Sequence, residues 1–278
     1  MAMIKNALKN VLFPGKCLEC GSFLNSEGVP SRGFRWAAVS AGFAREGEGT
    51  HFRFLTAGFL CPACLSGAVP VTSPFCTTCG IPFKSRSGDN HTCGSCIEGS
   101  HKFRMARASA VYQKAFMKLI HYFKYMGKTQ LAKPFSMILL ETFIRFWREE
   151  KIDLLMPVPL HPKRFRKRGF NQAYLLIRGW PALADALHLE LPCSRIERRI
   201  LVRNRHTQTQ TGLGRKMRRE NIKGAFGVAN RHEIKDKKVL LVDDVLTTGA
   251  TANECAGVLL KHGALSVDVL TLACALSV

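Results

Sequence analysis

Asp243 and Asp244 stand side by side at the end of an apolar run, Val239-Leu240-Leu241-Val242, and ahead of Val245-Leu246-Thr247-Thr248-Gly249-Ala250-Thr251. Residue types in this order suit a ligand that carries both a phosphate and hydroxyl groups. An apolar run without alternation reads as a strand buried on both faces, and it delivers the two carboxylates to a sheet edge. The turn from Val245 to Ala250 leads into a helix, whose first amides have no internal partner and whose dipole favours an anion. Thr247, Thr248 and Thr251 add hydroxyl donors, and Gly249 lets the backbone approach a phosphate closely. Carboxylates would repel that phosphate, so Asp243 and Asp244 are assigned to sugar hydroxyls or to a Mg²⁺ bridging them. The plainer alternative is a strand, loop and helix with an incidental acidic pair. The length of the pattern favours a cradle for a ribose 5-phosphate, as found in phosphoribosyl pyrophosphate.

Two other segments are rich in cations. Pro157-Val158-Pro159 stiffens the exit of a second apolar strand, and His161, Lys163, Arg164, Arg166, Lys167 and Arg168 follow. Beside a phosphate cradle such a loop can hold a diphosphate; a solvated basic loop is the bland reading. Arg203 to Asn221 is polar, basic and glycine-containing. It reads either as a mobile loop that closes over the site or as a surface for a nucleic-acid backbone. Lys124 lies on a helix and, on its residue type alone, reads as a solvent-exposed lysine.

Eight of the eleven cysteines form four Cys-x-x-Cys pairs: Cys17/Cys20, Cys61/Cys64, Cys76/Cys79 and Cys93/Cys96. That spacing predicts two structural Zn(Cys)₄ sites. The simplest pairing follows chain order, and an interleaved one is open as well. A redox role is the weaker reading, because no thioredoxin-like pattern surrounds any pair. Cys193, Cys255 and Cys274 read as small buried hydrophobes.

The elements that must position these groups fall into two regions. Residues 1–100 hold the cysteine pairs and little periodicity, so metal must replace a core there. Residues 101–278 alternate strand and helix, with strands expected over 107–112, 152–158, 238–243 and 266–273. Helices are expected over 114–126, 131–151, 171–189 (broken near Pro181) and 249–262. The rhythm implies an α/β fold with an open, mostly parallel sheet and a ligand at the carboxyl ends of its strands.

Hydrophobic residues make up 46% of the 278, which excludes disorder as the default. No apolar run approaches a membrane span. With no long apolar segment at the start, the chain is expected in the cytoplasm. Net charge is +21, and two Zn²⁺ held by eight thiolates would bring it to about +17. Residues 161–224 hold sixteen Lys/Arg against four Asp/Glu, a block that favours phosphate-rich partners.

The pattern of Asp243-Asp244 with Thr247 to Thr251 resembles the ligand motif of type I phosphoribosyltransferases. Nearly the whole chain resembles the ComF family of competence-associated, phosphoribosyltransferase-like proteins with an N-terminal double zinc ribbon. The matching segments are Leu119-Ile120-His121-Tyr122-Phe123-Lys124-Tyr125, Pro157-Val158-Pro159-Leu160, Arg168-Gly169-Phe170-Asn171-Gln172, and Gln210-Thr211-Gly212-Leu213 through Asn221. The resemblance implies a phosphoribosyltransferase-like domain that takes phosphoribosyl pyrophosphate with Mg²⁺. Asp243, Asp244 and Arg168 would be catalytic, Val245 to Thr251 would hold the phosphate, and Pro157, Val158, Pro159 and Lys124 the diphosphate. It also implies a role in DNA uptake, beside single-stranded DNA and helicase-type proteins. The departure is the stretch of about forty residues between Cys20 and Cys61.

Overall fold

The computed structural model describes residues 15–24, 50–85, 87–99, 101–207 and 214–276. The reading of Gln210 to Leu213 as part of a mobile loop lies outside the described residues.

Three short helices accompany the cysteines: α1 (Thr50–Ala57), α2 (Pro62–Ser66) and α3 (Gly94–Ile97). The chain then runs β1 (Ala106–Val111), α4 (Lys114–Tyr125), a 3-10 turn (Thr129–Leu131), α5 (Ala132–Trp147) and β2 (Ile152–Pro157). Next come α6 (Pro162–Arg168), α7 (Gln172–Ile177), α8 (Trp180–Leu187) and β3 (Cys193–Ile196). The last part is β4 (Leu201–Arg203), α9 (Arg215–Ile222), β5 (Phe226–Val228), β6 (Lys238–Leu246), α10 (Ala250–Lys261) and β7 (Ser266–Cys274).

The main sheet has five strands in the order β1-β7-β6-β2-β3, and every neighbouring pair is parallel. β4 and β5 form a separate antiparallel ribbon. Parallel strands share one polarity, so all five carboxyl ends lie along one edge. The β2–β3 step runs one way from the centre and the β6–β7 step the other. The switch therefore falls between β6 and β2, where such sheets bind ligands.

Helices cover both faces, which is why the central strands are apolar throughout. On one face Leu240, Val242, Leu270 and Leu272 pack with Phe116 and Phe123 of α4, Phe135 and Phe143 of α5, and Trp180 of α8. On the other, Val239, Leu241, Val267 and Val269 pack with Ala252, Cys255 and Leu259 of α10 and with Leu201 and Phe226 of the ribbon.

Several expectations need correction. β6 runs to Leu246, paired with Cys274, three residues past the expected end. Val245 and Leu246 pair with Ala273 and Cys274 of β7, so the turn shrinks to Thr247–Gly249. The 171–189 helix is two helices: α7, capped by Asn171 Oδ1 on the Tyr174 amide at 3.2 Å, and α8, which starts just before Pro181. The basic stretch after β2 contains α6, begun by His161, whose ring nitrogen accepts from the Lys163 amide at 3.2 Å, and ended by left-handed Gly169. Of the 203–221 segment, the described ends belong to β4 and α9, and residues 208–213 lie outside the described residues.

The amino ends of the strands are tied by a polar network that the sequence does not announce. Asp268, almost fully buried, accepts from Arg104 Nε at 2.9 Å and from Trp147 Nε1 at 2.8 Å. Glu150 pairs with the other side of the same guanidinium at 2.7 Å.

Candidate functional site

Strand alternation decides where the acidic pair points. Successive side chains of a strand face opposite sides of the sheet, so Asp244 follows Leu240 and Val242 toward α4, and Asp243 follows Val239 and Leu241 toward α10. Asp244 is 3% exposed. Its Oδ1 sits 2.8 Å from Lys124 Nζ, while Oδ2 is buried with no partner. Burial alone would discharge Lys124. The Asp244 charge and hydrogen bond, helped by Asp243, outweigh it and hold the ammonium above its ordinary pKa. Tyr112, at the end of β1, feels both charges, and burial raises its phenol.

Asp243 is half-buried, and its Oδ1 accepts the Asp244 amide at 2.8 Å. Burial, then the charge of Asp244, pushes its carboxyl up to about 7. Cys255 of α10, fully buried, has its thiol raised by burial and by that carboxylate. A single Mg²⁺ held by both carboxylates does not fit this arrangement. The two point to opposite faces, and one oxygen of Asp244 already carries a cation.

After Asp244 the chain finishes β6 and turns through Thr247, Thr248 and Gly249. Val245 and Leu246, expected in the phosphate turn, are strand residues, and Leu246 is buried in the core. Gly249 has φ of 74° and begins α10. That left-handed conformation favours glycine, and the His101 ring packs beside it, its Cε1 3.4 Å from where a Cβ would stand. Thr248 Oγ1 is buried and has no partner. The helix of twelve residues behind the turn supplies free amides and a favourable dipole.

The second strand exit lies beside it. Pro157 is in register with Val242, and the Val158 amide donates to the Val242 carbonyl at 2.8 Å. Pro157, Val158 and Pro159 are thus next to the acidic pair. Asn171 reaches back to the Val158 carbonyl at 3.1 Å and anchors this segment. Arg168 lies over the Tyr125 ring at 5.0 Å and donates to Gln172 Oε1.

Arg203, which acts by its charge on Asp243, belongs to a group of basic side chains. Arg203 is 8% exposed, donates to Thr207 Oγ1 at 2.6 Å and leaves Nε without a partner. Burial, then Arg164, lowers its guanidinium to about 10. Arg164 donates to the Thr207 carbonyl at 2.8 Å. The rings of His161 and His206 meet edge to face at 5.1 Å.

The cysteines gather in chain order: Cys17, Cys20, Cys61 and Cys64 form one tetrad, and Cys76, Cys79, Cys93 and Cys96 the other, with sulfurs within 4.8 Å of one another. Cys20 and Cys61 Sγ are 3.7 Å apart, and Cys79 and Cys93 Sγ 3.8 Å. A tetrahedral Zn²⁺ with Zn–S of about 2.3 Å places its sulfurs about 3.8 Å apart, so the donor set fits that ion. The turns are knuckles. Gly21 and Gly80 take left-handed φ, and the Cys93 amide points at Cys76 Sγ at 3.3 Å. A Cβ on Gly80 would collide with the Ala106 carbonyl, so the second knuckle abuts the start of β1.

Comparison with known proteins agrees with this architecture. Residues 181–276 match the phosphoribosyl transferase domain family. The DNA utilization protein YhgH of Escherichia coli O157:H7 is 31% identical over 213 residues, 76% of this chain and 88% of that protein. The chain belongs to the ComF family. Competence protein F of Haemophilus influenzae is 32% identical over 204 residues, 72% of this chain and 84% of the relative. Competence protein ComFC of Bacillus subtilis is 28% identical over 221 residues, 77% and 83% of the two chains.

In this ComF protein, sequence reasoning named Lys124 but not its partner, and it missed Tyr112, His101 and the burial of Arg203. His101 stacks on Phe103 at 4.6 Å against Gly249; only its distance in sequence from the motif hid it. Of the three lone cysteines, Cys255 and Cys274 are fully buried and Cys193 is partly exposed.

The electrostatics of Asp243 give a pH signature. It keeps its proton up to about pH 7 when folded and loses it near pH 4 in the unfolded chain. The folded state therefore holds the extra proton between these values, and stability falls as pH rises through that window. Asp243→Asn should melt at a higher temperature than the wild type at pH 8, with the gap narrowing as pH falls toward 5. A gap independent of pH would show that Asp243 is charged throughout.

Proposed function

We propose that the turn after β6 binds the 5-phosphate and ribose of phosphoribosyl pyrophosphate. The observation that carries this reading is a pair of buried atoms with no partner, Asp244 Oδ2 and Thr248 Oγ1. Buried polar atoms are almost always satisfied. An orphaned acceptor and an orphaned hydroxyl flanking an open helix N-terminus match a ligand with both hydroxyls and a phosphate. Thr247, Thr248, Thr251 and the amides of Gly249 and Ala250 would hold the phosphate, and Asp244 a ribose hydroxyl.

The diphosphate would lie between the Pro157–Pro159 exit and the cations Arg164, Arg168 and Arg203. Mg²⁺, where it accompanies the ligand, would ride on the diphosphate oxygens rather than bridge Asp243 and Asp244. In a transfer reaction, a nitrogen lone pair forms a bond to the anomeric carbon. The bond to diphosphate breaks, the electron pair leaves with it, and the nitrogen sheds its proton to water. The guanidinium cluster would stabilise the negative charge that develops on the leaving group. Ribose 5-phosphate and phosphoribosyl pyrophosphate should both bind in calorimetry, and Thr248→Val should weaken each about tenfold. Failure of both ligands to bind overturns the reading.

The names of the relatives support a role in DNA uptake or utilization, and the exposed cations Lys163, Arg166 and Lys167 of α6 suit a nucleic-acid backbone. Single-stranded DNA should bind with an affinity that falls steeply with salt, and Lys163→Glu with Lys167→Glu should flatten the slope by about two contacts. A salt-independent affinity rejects this second role.

The two cysteine tetrads would each hold a structural Zn²⁺. Elemental analysis of purified protein should find about two zinc per chain, and Cys76→Ser should lower both the zinc content and the melting temperature. A wild type free of zinc yet equally stable overturns the assignment.

A further inference from the structure

We infer that Lys124 is the resident cation of the candidate site, occupying at Asp244 the place a divalent metal would take, so that the sugar phosphate binds there without a divalent ion. This rests on the sugar-phosphate reading and specifies how the site is charged.

The argument starts from the geometry of the pair. Lys124 Nζ lies 2.8 Å from Asp244 Oδ1, with the two side chains 16% and 5% exposed. At that separation no ion fits between them. A second ion would have to approach Oδ2 from the buried side, where the first cation already repels it. Asp243 does not complete a metal site there, because it leaves the strand on the opposite face, where its Oδ1 accepts the Asp244 amide at 2.8 Å. Mg²⁺ needs near-octahedral oxygen ligands at about 2.0–2.1 Å, and this corner offers one free carboxylate oxygen.

The helix geometry shows that Lys124 is placed there rather than caught in passing. α4 buries Phe116, Leu119, Ile120 and Phe123 against the sheet. Lys124 is the residue next to Phe123, at the edge of the buried stripe, and extends its stem along the apolar surface. Phe123 packs on Phe170 with ring centroids 5.7 Å apart, which fixes the last turn of the helix beside the second strand exit. The ammonium, held charged by its partner, has donors left over once Asp244 is satisfied. Those donors can meet an anionic or hydroxyl oxygen of a ligand on Oδ2's side of the site.

Removing Lys124 should therefore create a metal requirement that the wild type lacks. A lone buried carboxylate at Asp244 is costly, and with no ammonium beside it the site leaves room for another cation. Ribose 5-phosphate is the probe, because its single phosphate keeps diphosphate-bound Mg²⁺ out of the measurement. The full chain is used with its zinc retained, in buffers prepared free of Mg²⁺ rather than treated with a chelator, since a chelator would also strip the cysteine tetrads.

Wild-type affinity should stay within about threefold with and without millimolar Mg²⁺, whereas Lys124→Met should lose more than about tenfold without Mg²⁺ and recover most of it with the ion. Lys124→Arg should behave as the wild type does. Should Lys124→Met fail to fold, the paired change with Asp244→Asn removes the stranded charge, and it should bind weakly with no response to Mg²⁺. A wild type that needs Mg²⁺ by more than about tenfold overturns the inference, as does an identical Mg²⁺ response in wild type and Lys124→Met. Absence of ribose 5-phosphate binding in every protein under every condition overturns the sugar-phosphate reading itself, and this inference with it.

Discussion

The ladder that holds β6 between β2 and β7 governs everything at the candidate site. Because β6 stays paired as far as Leu246, the strand cannot twist both carboxylates to one side. Alternation splits them: Asp244 goes to the face of α4 and finds an ammonium in contact, and Asp243 goes to the face of α10, where it feels that ammonium and the Arg203 guanidinium only through their charge. One dipeptide therefore makes two electrostatic environments. In one the carboxylate is neutralised by direct contact at 2.8 Å. In the other, burial dominates and the carboxyl holds its proton to about 7. A single residue of slippage between β6 and β7 would exchange the two, so register is part of the chemistry.

How much of this was legible depends on the range of the interaction. β6 and β7 are unbroken apolar runs, and a buried parallel strand leaves that signature in any window. The cysteine tetrads were equally legible, since Cys-x-x-Cys spacing is local; chain order turned out to be the pairing. What failed were segments whose order comes from elsewhere. α6 and α9 consist mostly of Lys and Arg, so no apolar stripe marks them. α6 is held by a cap at His161 and a glycine stop at Gly169. The end of β6 was misplaced because Asp243 and Asp244 look like the start of a loop, and nothing in the chain shows that Cys274 waits opposite Leu246. Arg104, Trp147 and Asp268 meet across more than a hundred residues, and no periodicity can report that.

The cysteine-bearing segment and the sheet are not merely strung together. Phe52, Leu60 and Ala68 share the core of α4 and α5, while Phe75 and Phe103 share the core of α10. Just past Cys96, the chain lays His101 beside Gly249 and donates the Lys102 amide to Asn253 on α10. Four residues lie between Cys96 and His101, so an ion bound at the second tetrad would lie close in the chain to the wall of the turn after β6.

A site charged by Lys124 divides the work in a particular way. A fixed ammonium settles Asp244 and offers donors to a sugar, but it carries one charge and lies on the face of α4. The charge of a departing diphosphate would develop elsewhere, toward Arg164, Arg168 and Arg203. Each of these is already held: Arg203 and Arg164 by Thr207, and Arg168 by Tyr125 and Gln172. Such held cations need little rearrangement to meet an anion, which is the condition for electrostatic stabilisation. Thr207 thus ties the two arginines to one another, its hydroxyl to Arg203 and its carbonyl to Arg164. On the proposed reading, a ribose phosphate and a diphosphate would be held on different faces of the sheet, coupled through Asp243, whose charge acts on Lys124 as well as on Arg203.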